Sequence, residues 1–121
     1  MNALSRDVIG AAIEVHRELG PGLLERVYVE CLAEALEDTG LSVAREVTIP
    51  ARFRVRELEA SYRIDLSIDE RLVVEVKAAE DLHPVFKSQV LTYLEMANAP
   101  LGLLINFNVP QLVDGVERVA L

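Results

Sequence analysis

Apolar positions recur every three or four residues in the first third of the chain and every second residue in its middle, and this change of period lays out the elements. Val8, Ile9, Ala12, Ile13, His16 and Leu19 form one helical stripe behind Ser5, a suitable N-cap, and Gly20-Pro21-Gly22 ends that helix. A second helix carries Leu24, Val27, Tyr28, Cys31, Leu32, Ala35 and Leu36 on its core side and stops at Gly40. Strand patterns follow at Ser42 to Ile49, Arg52 to Leu58, Tyr62 to Ile68 and Leu72 to Lys77. Pro84 to Ala97 reads as a third helix with Val85, Phe86, Val90, Tyr93, Leu94 and Ala97 turned inward. Leu101 to Phe107 is apolar without alternation, as in a strand covered on both faces, and Gly115 to Ala120 is a final strand. The order α-α-β-β-β-β-α-β-β predicts an α/β fold, a central mixed β-sheet flanked by helices, over residues 1–121 as a single domain.

The segment YRIDLSIDERLVVEVKA, Tyr62 to Ala78, sets Asp65, Glu75 and Lys77 into runs that otherwise look like buried strands. Joined as a hairpin through Asp69-Glu70-Arg71, they pair Ile68 with Leu72, Leu66 with Val74 and Ile64 with Val76, giving one continuous apolar face. A slip of one residue mixes charged and apolar side chains on both faces, so the pattern selects this register, which puts Asp65 opposite Glu75. Carboxylates facing across a ladder repel unless a proton or a cation sits between them. Lys77 projects from the same face as Glu75, and so does Val73, which indicates that this face is partly covered. Two readings of the spacing stand open: an ion-binding or catalytic site, and a solvated polar face with Lys77 as an ordinary salt-bridge partner.

Composition narrows the setting. With 51% apolar and 26% charged residues the chain is expected to be globular, and no apolar stretch is long enough to span a bilayer. The first twenty residues lack a signal-peptide layout, so a cytoplasmic protein with no membrane partner is expected. Cys31 is the only cysteine; it excludes an intramolecular disulfide and reads as a small core hydrophobe. The net charge of −8 weighs against general nucleic-acid binding, which draws its strength from Lys and Arg on phosphates, unless charge is locally segregated. Arg52, Arg54 and Arg56 alternate with Phe53 and Val55, which fits either a phosphate-contacting stripe or a charged edge strand. His16 and His83 have no metal-ligand spacing and read as satisfied or exposed histidines.

Four elements together resemble a known family. Gly22-Leu-Leu-Glu25-Arg-Val-Tyr28 is similar to the signature of the small GxxExxY proteins of the PD-(D/E)XK nuclease-like superfamily. Asp65 stands for the first strand acid, Glu75-Val76-Lys77 for the ExK, and Gln89 with Tyr93 and Leu94 for the QxxxY helix of the RecB-like branch; Leu103 to Pro110, LLINFNVP, also resembles that family. Phe86 stands where many relatives carry a histidine three residues before the glutamine, and no proline precedes Asp65. The resemblance implies a restriction-endonuclease-like core and Mg²⁺- or Mn²⁺-assisted hydrolysis of phosphodiester bonds in DNA or RNA. It implies that Glu25, Asp65, Glu75 and the Val76 carbonyl hold the metal, and that Lys77 acts on the attacking water with Gln89 and Tyr93 as supports. The other class to be weighed is a catalytically silent module that keeps the fold to oligomerise or bind a partner; the −8 charge and the 5% aromatic content favour it.

Overall fold

A computed structural model of the chain describes residues 2–121. Helices α1 (Asn2–Leu19) and α2 (Glu25–Asp38) precede a hairpin of β1 (Val43–Phe53) and β2 (Arg56–Ile68), then β3 (Leu72–Lys77), helix α3 (Pro84–Ala97) and β4 (Leu101–Asn106). A 3₁₀ turn at Leu112–Gly115 leads into β5 (Val116–Ala120). The five strands form one sheet in the order β1-β2-β3-β4-β5, antiparallel throughout except for the parallel pair β3 and β4, which α3 connects. The mixed sheet flanked by helices matches the expected fold class and is consistent with a restriction-endonuclease-like core.

The α3 boundaries agree with the sequence pattern because both ends are specified locally. Pro84 occupies the first turn, His83 caps it by accepting from the Val85 amide through Nδ1 at 3.1 Å, and Asn98 closes it in a left-handed conformation. Gly40 likewise ends α2 at φ +89°, with its amide on the Glu37 carbonyl and the Leu41 amide on Leu36, the two bonds of a Schellman cap. Other expectations need correction. Helix α1 begins before Ser5, so that side chain lies buried inside the helix, where the Arg118 guanidinium reaches its hydroxyl at 3.4 Å. Leu24 and Val27 are exposed at the start of α2, and Val85 is exposed on α3.

The largest departure is in the middle of the chain, where three strands replace four. The Arg52 to Leu58 run is not a strand but the tip of the β1–β2 hairpin, with Phe53 opposite Arg56 and a two-residue turn at Arg54-Val55. Arg52, Arg54 and Arg56 therefore do not line one strand face. The sequence hid this turn because Arg54 takes φ +59° without the glycine, asparagine or aspartate that usually marks such a conformation.

Two apolar clusters sandwich the sheet. On one side Val8, Ala12, Tyr28, Leu32 and Leu36 of α1 and α2 pack against Leu66, Ile68, Leu72, Val74, Val76, Leu103 and Ile105. On the other, Val90, Tyr93 and Leu94 of α3 pack with Ile64, Val73, Leu104 and Val119. The β2–β3 register is as expected at Leu66↔Val74 and Ile68↔Leu72. The ladder stops there, and Ile64 joins the α3 cluster rather than pairing with Val76, so the predicted continuous apolar face divides in two. The cause lies next door on β1: Glu46 takes φ +50°, the pairing skips Glu46 and Asp65, and both strands pass from one face of the sheet to the other at that level.

Candidate active site

Asp65 sits where β2 leaves β3. Its Oδ2 accepts the Val76 amide at 2.8 Å, so a side chain continues the hydrogen bonding that the backbone ladder has just relinquished. Glu75, between Val74 and Val76 in the central strand, is only 6% exposed. Such a carboxylate is costly to hold charged. Burial, with the neighbouring Asp65 charge as the second cause and Lys77 opposing, pushes the Glu75 carboxyl up to about 8. Its Oε2 lies 3.5 Å from Lys77 Nζ, while its Oε1 is buried with no hydrogen-bond partner among the described residues. The sheet thus holds two adjacent acids, one of which keeps its proton at neutral pH, and a buried carboxyl oxygen with no partner among the described residues.

Lys77 closes β3 with its side chain 15% exposed. Its ammonium stands 4.4 Å from the centroid of the Phe86 ring, so Phe86 contributes a cation–π contact at the position where many relatives were expected to carry histidine. Gln89 lies one turn further along α3; its Oε1 is a second buried oxygen with no partner among the described residues. Tyr93, a further turn on, packs edge-to-face on Tyr62 of β2 at 6.1 Å. Its hydroxyl titrates above the usual range through burial and then through Glu75 and Asp65. Asp65, Glu75, Lys77 and Tyr93 are therefore electrostatically linked, and Gln89 shares the α3 face that covers them.

Glu25 stands apart from this group. It is exposed in the first turn of α2 and lines a cleft of about 180 Å³ with Arg26, Val29, Glu46, Arg63 and Asp65. Asp65 is the link between the cleft and the buried pair. Among the described residues, no three His, Cys, Asp or Glu side chains converge closely enough to form a preformed metal cage. The conformation of the motif around Glu25 is set by Tyr28. Its hydroxyl donates to the Gly20 carbonyl at 2.6 Å and accepts the Leu23 amide at 3.1 Å, and its ring stacks on Phe107 at 4.5 Å. Gly20 and Gly22 both have positive φ, so the Gly-Pro-Gly turn needs residues without Cβ to bring the chain back to α2 at this angle.

Two residues of the site escaped the sequence. Glu46 enters the cleft because it lies opposite Asp65, a relation visible only once the β1–β2 register is known. Asn106, 2% exposed at the end of β4, donates to the Ala79 carbonyl at 2.9 Å and accepts the Ala79 and Asn108 amides at 3.1 Å each. With the Phe107 amide on the Lys77 carbonyl at 2.9 Å, it ties the chain leaving Lys77 to β4. An asparagine inside an apolar run was the available signal. The histidines are satisfied as expected: His16 Nε2 lies 2.8 Å from the Val109 carbonyl, and His83 caps α3. Cys31 is half-buried against the α1–α2 side of the core.

The five-stranded mixed sheet flanked by helices has a nuclease-like fold. The chain matches the PD-(D/E)XK nuclease superfamily over residues 2–119 and belongs to that superfamily. No curated protein and no solved structure matches it. Among the described residues no helix is long and apolar enough to cross a membrane.

Proposed function

We propose that the chain, as one domain, is a divalent-metal-dependent nuclease that hydrolyses phosphodiester bonds in DNA or RNA, and that it belongs to the GxxExxY group within its superfamily. The observation that carries this reading is the buried, partnerless Glu75 Oε1 beside Asp65, because a hard cation satisfies an orphaned carboxylate oxygen and offsets the repulsion of the pair. Asp65 and Glu75 fit Mg²⁺ or Mn²⁺ as hard oxygen donors. The Val76 carbonyl would add a ligand, and Glu25, which lines the cleft beside Asp65, would complete the acidic set. A bound cation supplies an acidified water and neutralises charge on the scissile phosphate.

The protein's own residues supply the rest of the chemistry in this reading. Lys77, fixed between Glu75 and the Phe86 ring, presents its ammonium to the attacking water and to the developing phosphorane. Gln89 offers an amide to Lys77 or to the substrate strand. Tyr93 holds the α3 face against Tyr62 and keeps water from the back of the carboxylate pair. The test is calorimetric titration with Mg²⁺ and Mn²⁺, followed by cleavage of single- and double-stranded substrates beside Lys77→Ala. Absence of cation binding, or unchanged cleavage in the variant, rejects the mechanism.

A second reading, a catalytically silent module that oligomerises, is favoured by the exposed apolar group Leu23, Leu24 and Val27 at the start of α2. Light scattering separates the two, since a monomer that cuts nucleic acid removes this alternative.

A further inference from the structure

The outer half of the β1–β2 hairpin has no role in the site just described, and its chemistry differs from that of the rest of the molecule. The chain carries −8 overall, yet the five residues from 52 to 56 contain three arginines and no acidic residue, with Glu57 and Glu59 following on β2, so the arm is positive at its tip. Arg52 is 3.8 Å from Glu57. Arg54 lies 5.0 Å over the Phe53 ring, and among the described residues neither Arg54 nor Arg56 has an acidic partner. Interleaved with them, Phe53 is 60% exposed, Val55 92% and Leu58 44%. Exposed apolar groups rimmed by charge mark interaction surfaces. Unpaired guanidinium groups beside an aromatic ring match the sugar-phosphate surface of a nucleic acid, with charge for the phosphates and a flat apolar face for sugars and bases.

Position strengthens the match. The arm grows directly out of the candidate site, since β2 runs without interruption from Arg56 at the tip to Asp65 at the carboxylate pair. Nine residues of strand at about 3.3 Å each reach roughly 30 Å. A duplex rising about 3.4 Å per base pair covers that distance in about nine base pairs. Arg63 lines the cleft beside Asp65, so basic groups occur at both ends of the path.

We propose that the outer β1–β2 hairpin is an arm that grips double-stranded nucleic acid about nine base pairs from the Asp65–Glu75 site, with Arg54 and Arg56 on phosphates and Phe53 and Val55 against the sugars and base edges. This assignment rests on the nuclease reading for its substrate, and it explains how a strongly acidic protein engages a polyanion: the contact is made where the charge is locally reversed. It also makes binding depend on duplex length rather than on sequence.

The experiment is fluorescence anisotropy with a labelled duplex of about 20 base pairs. Lys77→Ala, which binds without cutting, is compared with the same chain also carrying Arg54→Ala and Arg56→Ala. The expected result is about 10-fold weaker binding and a salt dependence shallower by about two phosphate contacts, with a duplex of about six base pairs bound equally by both. Unchanged affinity and unchanged salt slope overturn the arm. Calorimetry with Mn²⁺, on chains with Lys77 intact, separates this failure from that of the nuclease reading. Cation binding without arm dependence sinks the arm alone, whereas arm-dependent duplex binding without cation binding sinks the metal site and leaves the arm. Val55→Asp in light scattering covers the remaining occupant: a wild-type dimer that the variant dissolves, with duplex affinity intact, assigns the tip to a second copy of the chain and overturns the proposal.

Discussion

The inner and outer halves of the β1–β2 hairpin are built from the same two antiparallel strands, whose register shifts between Pro50 and Arg52, and they differ in almost everything that strand pairing does not set. Toward the sheet, Ile64, Leu66 and Ile68 are fully buried between helical layers, and Asp65 among them reaches a backbone amide and a second carboxylate. Toward the tip every residue from Arg52 to Ser61 is exposed. Strand pairing alone therefore supports charge in solvent but does not bury it. Helical cover changes the chemistry, because it removes water from Glu75 and moves its proton affinity by several powers of ten.

The contrast is broken most directly by truncation on each half. Leu66→Ala is expected to lower unfolding free energy by about 2–5 kcal/mol in urea titration, and Leu58→Ala on the arm by less than about 1 kcal/mol. Equal losses would mean that the arm is packed. A polar version uses Tyr28→Phe, which strands the Gly20 carbonyl and the Leu23 amide at a cost of about 1–3 kcal/mol, against Ser61→Ala on the arm, within about 0.5 kcal/mol.

Glu75→Gln sharpens the comparison with the opposite sign. The carboxyl binds its proton more tightly folded, at about 8, than at its ordinary 4.5, so its contribution to stability is full below 4.5 and is lost as pH rises toward 8. In metal-free melts the variant should gain on the wild type across that window, by about 1–2 kcal/mol at the alkaline end. A pH-independent difference would show that Glu75 is not desolvated as described. Millimolar Mg²⁺ should stabilise the wild type and leave the variant unchanged. The smallest effect is expected from Val55→Ser, within about 0.5 kcal/mol of wild type.

How much of this was legible in the sequence follows the same division. The β2–β3 register was readable because Leu66, Ile68, Leu72 and Val74 leave one arrangement that keeps apolar residues together. The α3 boundaries were readable because Pro84 and the residues after Met96 act through local geometry. Ile64 was misplaced because the face switch depends on Glu46 adopting a left-handed backbone, which nothing in the identity of a glutamate announces. The arm was misread for a related reason: Arg and Phe alternating through 52 to 56 imitate a strand, and the turn lacks its usual residues. The closeness of Asp65, Glu75 and Lys77 was readable from the alternation in the two strands. Glu46 and Asn106 were not, since each takes its place through partners 19 and 27 residues away, Asp65 and Ala79.

The interruption at Glu46 has an effect beyond the site. β1 is an outer strand of the sheet, and its free edge is a template on which a strand from another molecule can zip. That edge is cut into Val43 to Arg45 before the left-handed residue, Val47 to Ile49 before Pro50, which has no amide to donate, and Ala51 to Phe53 after it. Each stretch is only three residues long. The backbone irregularity that carries β1 and β2 across the sheet therefore also shortens the edge that a strand from another molecule could use.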